Sequence, residues 1–295
     1  SAGLRAVGDA RHSMYATLAG AGTNALLDPI LILYFGLGIE GAAWASVASR
    51  VVVVAYAGYV LFARHRLATR VSPRMVMSDA PAIMVIAIPA VLTNLATPLG
   101  NSLVLRMMSQ FGDSAVAASA VMGRLAPLAF AVVFAVSGAV GPIVGQNAGA
   151  RRYDRVRQTL LDASKFVVAY VAVAWLILWL AQDFLVAKFT VSALAADLLR
   201  FYIYFLVGAF AFNGLLFVAN ASFNNLGRAY LATLFNYAKV FLGVVPAAYL
   251  GASLYGARGL MIGEALGASL FGVLGLFSAL ALVRRLQRDY PPLNL

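Results

Sequence analysis

Apolar positions along the chain fall into long runs, broken only by short clusters of charge, glycine or proline. Eight runs are long enough to cross a bilayer as helices: residues 14–35, 41–62, 82–110, 115–146, 164–186, 199–223, 230–254 and 260–283. The third and fourth exceed a straight crossing. Pro89 and Pro98 in one, and Pro127 and Pro142 in the other, predict bends or frayed ends, because each proline removes a donor and crowds the carbonyl four residues back. The pattern predicts an all-α, polytopic membrane helix bundle with eight transmembrane spans.

Composition narrows the function. With 62% hydrophobic and 11% charged residues, a soluble globule is excluded. The 22 Lys+Arg against 11 Asp+Glu do not call for a nucleic acid here, since their positions follow membrane topology. Arg5, Arg11, Arg64, Arg66, Arg70, Arg74, Arg151, Arg152, Arg155, Arg157, Lys165, Arg228, Arg284, Arg285 and Arg288 all fall on one side. Only Lys188, Arg200 and Arg258 fall on the other. That asymmetry predicts a multi-pass protein of the cytoplasmic (inner) membrane with both ends of the chain in the cytoplasm. The connections 63–81 and 147–163 are basic and amphipathic enough to lie along the inner leaflet, and Pro73 and Pro81 mark the first as a linker. The absence of cysteine excludes disulfides and thiolate chemistry.

The first two spans are repeated in the last two. Pro29, Gly38 and Gly41 correspond to Pro246, Gly256 and Gly259, and both hairpins end in basic stretches, Arg64-His65-Arg66 and Arg284-Arg285. Transporters are often built from such repeats. A repeat of this kind predicts counterparts of the third to sixth spans upstream of Ser1, so the chain reads as the C-terminal two-thirds of a twelve-span protein lacking its first four helices.

Three segments carry a family resemblance: Asn24-Ala25-Leu26-Leu27-Asp28-Pro29, the Gly-x-Glu-Gly-Ala-Ala-Trp-Ala-Ser run at 38–46, and Gly145-Gln146-Asn147-Ala148-Gly149-Ala150-Arg151-Arg152-Tyr153-Asp154. Together they resemble the multidrug and toxic compound extrusion (MATE) transporters, aligned with that family's fifth to twelfth helices. The resemblance implies a two-lobe, pseudo-symmetric bundle. Residues 1–62 would be the last two N-lobe helices, 63–81 the inter-lobe linker and 82–295 a six-helix C-lobe. It also implies an antiporter that exports small organic, often cationic compounds in exchange for H⁺ or Na⁺, with membrane lipids around it, and it is expected to work as a monomer.

A charge at mid-bilayer is expensive, so each one requires a reason. Asp28 lies well inside the first span, with Asn24 one turn earlier on the same face. Pro29 cannot donate to the carbonyl of Ala25, which leaves a free oxygen beside the carboxylate. Carboxylate, amide and carbonyl oxygens suit a hard cation such as Na⁺ at Asp28 and Asn24, and a buried carboxyl also suits a proton. One branch of the MATE family pairs an Asn-x-x-x-Asp motif with an Ala carbonyl and a Thr hydroxyl on the following helix. Ala42 and Ser46 stand at those positions, whereas the first-helix Asp of that site is not in this chain. A second branch places acids on the seventh and tenth helices, where Thr97 and Asn213 cannot titrate.

Glu264, in the last span, occupies the repeat position of Ser46, and Lys239 in the preceding span is expected either to pair with it or to share in proton or substrate handling. Asn94 and Asn101, and Asn213, Asn220 and Asn224, recur at helical spacing and are expected either to pack helices together or to line a polar strip in the substrate cavity. Arg124 is a further cavity candidate, and Arg106 is expected to snorkel. Phe130, Phe134, Tyr202 and Phe205 offer aromatic surfaces for flat cations. Glycines at 141, 145 and 149, and at 259, 263 and 267, predict seams of close helix contact.

Hydrolase motifs and a P-loop are missing, and His12 and His65 only flank spans, so the chain reads as a transporter with no cofactor other than its coupling ion. Two alternatives remain: a lipid-linked oligosaccharide flippase of the same superfamily, with only Arg50, Arg106 and Arg124 to hold a pyrophosphate, or an inactive truncated relic.

Overall fold

The computed structural model describes residues 2–67, 72–189 and 192–291, and all regular structure among them is helical. They fall into two compact units, Ser1–Asp79 and Ala80–Leu295. In the first, α1 (Ala2–Ala6) precedes α2 (Ala10–Pro29) and α3 (Gly38–Tyr59), which pack along one another. Pro29 ends α2 without breaking the rod, because the chain continues as a wider π-helical segment, Ile30–Tyr34. A second π segment, Val60–Arg64, follows α3. Inserting one residue per turn in this way absorbs a lost hydrogen bond and recurs at functional sites. The hairpin core is small: Leu4, Ala16, Ala57 and Val60.

The helix α4 (Pro73–Met108) runs through Pro81, Pro89 and Pro98, so its prolines do not end it. In the second unit, α5 (Asp113–Ala129) and α6 (Ala131–Gly149) meet at Phe130, whose non-helical backbone lies three residues past Pro127. The predicted fourth run is therefore two helices, with the break where a proline has removed a donor. The helix α7 (Tyr153–Leu180) starts inside the stretch read as an amphipathic connection, since no glycine or proline interrupts it. After α8 (Gln182–Phe189), α9 (Ala193–Phe201) passes through a π segment, Tyr202–Leu206, and a short 3₁₀ turn into α10 (Phe210–Asn225). The last elements are α11 (Ala229–Ala238), a π segment Lys239–Val244, and α12 (Val245–Asp289).

The interruption in α12 explains a difference in span number. Among the described residues, seven helical stretches are long and apolar enough to cross a membrane, the last being Ala229–Asp289. Tyr255 and Gly256 leave helical geometry, with Gly256 at φ +61°, and the chain doubles back. A Cβ placed on Gly259, Gly263 or Gly267 would collide with the backbone of Gly251, Ala247 or Gly243 respectively. These pairs run antiparallel, so residues 229–254 and 257–289 are the two arms of a helical hairpin joined by a tight turn, each long enough to cross a bilayer, which is consistent with the two runs in the sequence. Lipid tails are as apolar as side chains, so helices in a bilayer are held by close van der Waals approach, which small residues permit. The other predicted seam is partial: Gly141 and Gly145 face the Asn225 side chain, and Gly149 faces open space.

The core of the second unit joins α5, α6, α7, α9, α10 and α12, with Phe130, Phe223, Leu160 and Leu216 fully buried. Phe130 stacks on Phe210 with centroids 4.1 Å apart, which makes it a packing residue rather than a cargo surface. Phe134 and Phe205 remain exposed.

Candidate functional site

Asp28 occupies the last turn of α2, half-buried, immediately before Pro29 and the π segment. Asn24 Nδ2 donates to Asp28 Oδ1 at 3.4 Å, which brings the predicted pair together. The carboxylate thus has an amide donor, yet its second oxygen has no protein partner among the described residues. For a metal cation to enter, the amide must turn so that its oxygen faces the site, whereas a proton requires no such turn. Ala42 and Ser46 lie on α3, which packs on α2, but Ser46 is exposed and makes no hydrogen bond to Asp28. The hairpin turns at Gly36-Leu37-Gly38, where Gly38 has φ +53°, and Gly41 lies so close to Leu31 that an added Cβ would come within 2.8 Å of its carbonyl.

In the second unit, the predicted polar residues separate. Asn94, Asn101 and Arg124 are exposed, and the Asn94 amide donates to the carbonyl of Ala90 on its own helix. Asn213 and Asn220 are half-buried on α10, where Asn220 Oδ1 and Asn224 Oδ1 are buried without a hydrogen-bond donor among the described residues. Lys239 is only 9% exposed and donates from Nζ to Asn213 Oδ1 at 3.4 Å. The expected contact pair between Lys239 and Glu264 does not form: Glu264, half-buried on the second arm of α12, makes no ion pair among the described residues. The two charges are still near enough to act on one another electrostatically.

Two features escape sequence reading. Thr93 and Thr233 both donate to the carbonyl of Pro89 at 2.8 Å, tying α11 to α4. In the first unit Asp9, His12 and His65 converge at a cleft of about 500 Å³ that also involves Arg11, Tyr15 and Arg64. Asp9 caps α2, accepting from the His12 backbone N–H at 3.1 Å, and its two carboxylate oxygens meet His12 Nδ1 and His65 Nε2, each at 2.8 Å. The His12 side chain, then its backbone N–H, then His65 hold the Asp9 carboxyl well below the usual carboxylate range. Arg64 Nη1 lies 3.3 Å from His12 Nε2. An arginine only donates, so this contact places the ring proton of His12 on Nδ1, facing Asp9. The capping pattern Asp9-x-x-His12 is visible in the sequence, but the arrival of His65 from the far end of α3 is not.

The profile of the MatE family matches residues 89–250. The FAD transporter of Shewanella oneidensis is 33% identical over 270 residues, which cover 88% of this chain and 59% of that protein. The multidrug export protein MepA of Staphylococcus aureus is 22% identical over 264 residues, covering 87% of this chain and 57% of that protein. Among solved structures, the Vibrio cholerae MATE transporter VcmN in its bent form superposes with a TM-score of 0.82 at 26% identity, over 92% of this chain and 62% of that one. The chain spans less than two thirds of the length of each of these proteins. Their names are those of transporters, and the matched stretch runs from Pro89 in α4 into the first arm of the α12 hairpin; the chain belongs to the MatE family.

Proposed function

We propose that this chain carries the coupling site of a cation-driven antiporter that exports small organic compounds by alternating access, with H⁺ or Na⁺ exchanging at Asp28. The observation that supports this most is the 3.4 Å approach of Asn24 to an acid placed beside Pro29 and a π-helical segment. A carboxylate in that position is costly in a membrane and recovers the cost by visits from a cation. In this reading Asn24 turns its amide to follow the charge of Asp28, while Ala42 and Ser46 on the packed neighbour α3 add carbonyl and hydroxyl oxygens. Coupling then requires that the loaded and unloaded forms of Asp28 favour different conformations, since a ligand with equal affinity for both shifts neither.

The polar groups of α10, of the π segment that follows α11, and of α12, namely Asn213, Asn220, Lys239 and Glu264, are assigned to cargo handling. The protein sits in the inner membrane with both ends of this chain in the cytoplasm, following the distribution of basic residues. Cargo is expected among solutes of the kinds named for its relatives, drugs and FAD. Asp28→Asn in the full-length protein is expected to abolish efflux of ethidium or of a flavin while leaving membrane insertion and yield intact; unchanged efflux would refute the assignment.

A further inference from the structure

Lys239 opens a π-helical segment and is buried inside the second unit. Its ammonium has three donors and no acceptor, so burial obliges it to find three partners or an anion. One donor reaches Asn213 Oδ1 at 3.4 Å, the long end of the hydrogen-bond range. Among the described residues no carboxylate closes to an ion pair with it, and Glu264 stands near without touching. Asn213 and Glu264 beside it are each half-buried rather than sealed. A packing pair would have closed, because breaking a buried pair is costly and the side chains of Lys and Glu are long. An organic cation would be repelled by this ammonium at short range.

We propose that Lys239 is the receptor for an anionic oxygen group of the cargo, a phosphate or a carboxylate, and that Glu264 is an internal anion competing for the same ammonium. Lysine serves phosphates as a point charge without fixed geometry, which suits a site that must release its ligand. Asn213 then positions the ammonium. This inference rests on the reading of the chain as an exporter of organic solutes and sharpens the class of solute.

Competition makes opposite predictions for the two charges, which a structural pair does not. The test uses the purified full-length protein and three fluorescent probes sharing one ring system: riboflavin, its phosphate ester FMN, and carboxymethylflavin. The wild type is expected to bind FMN or carboxymethylflavin at least tenfold more tightly than riboflavin, and whichever shows the preference identifies the anion. K239Q removes that preference, K239R keeps most of it, and E264Q widens it. Thermal melting of each variant separates loss of the site from loss of the fold. Equal affinity for charged and neutral probes in the wild type, or a K239Q protein that retains the preference, would overturn the proposal. So would K239Q and E264Q weakening the preference alike. Because binding is read without a gradient, an intact preference alongside unimpaired efflux by Asp28→Asn would sink the coupling reading and leave this site standing.

Discussion

Two hairpins of this chain share a scaffold and differ in chemistry. In the first, α2 and α3 turn at Gly38, with φ +53°, and approach at Gly41; in the other, the two arms of α12 turn at Gly256, with φ +61°, and approach at Gly259. Each glycine pair stands at the same separation in sequence, as the repeat predicts. The acids do not correspond. Asp28 precedes Pro29 on the first arm of one hairpin, where the other has Val245 before Pro246; Glu264 lies on the second arm of the last hairpin, where the first has Ser46. The surroundings diverge as well, an amide donor for Asp28 and a nearby ammonium for Glu264. The turn and the seam are demanded by packing and recur. The charges answer to what each site binds, and they do not recur.

The comparison breaks most severely at the seam. Gly263→Leu forces a side chain into the backbone of Ala247 and is expected to cost more than about 3 kcal/mol, seen as loss of folded protein in detergent. Gly41→Leu, whose added atoms meet the Leu31 carbonyl, is expected to be damaging in the same assay. Folding at wild-type yield in either case would show that the close approach is not needed. The turns are milder. Gly38→Ala and Gly256→Ala each place a Cβ in left-handed backbone and are expected to cost about 1–2 kcal/mol, by nearly equal amounts if the hairpins share a scaffold. A large inequality in melting temperature would contradict that sharing. Thr233→Val removes one of two hydroxyls on the Pro89 carbonyl and is expected to cost about 1 kcal/mol.

The smallest effect concerns pH. The folded Asp9 carboxyl titrates below its unfolded value near 3.8, so its contribution to stability is complete above that value and is lost as pH falls through and below it. Melting temperature between pH 5 and pH 3 is expected to fall more steeply for the wild type than for Asp9→Asn. Parallel slopes would show that His12 and His65 do not hold the carboxylate.

Crossings are legible in the sequence because an apolar run cannot be placed anywhere but in lipid, and a glycine every fourth residue leaves few uses except a seam. The ends of helices are less legible. The helix α7 begins at Tyr153 because its first turns carry polar residues at helical spacing, with Gln158 donating to Asp162, and such turns continue a helix beyond the membrane without any hydrophobic signal. The four π segments leave no mark either, since a single inserted residue per turn changes no composition. Asn24 and Asp28 are readable as a pair because four residues of helix fix their geometry. Lys239 and Asn213 are not, because the choice between Asn213 and Glu264 as partner depends on rotamers and on three helices meeting. Asp9 and His65 meet for the same reason, from opposite ends of the hairpin.

The account turns on Asp28 as the place where an ion gradient enters. Full-length wild-type and Asp28→Asn proteins, reconstituted in liposomes with an imposed H⁺ or Na⁺ gradient, provide the most direct test through cargo movement under each gradient. Wild-type transport that follows one of the two gradients and an Asp28→Asn protein indifferent to both is the expected result. Gradient-driven transport at wild-type rate by Asp28→Asn would contradict it.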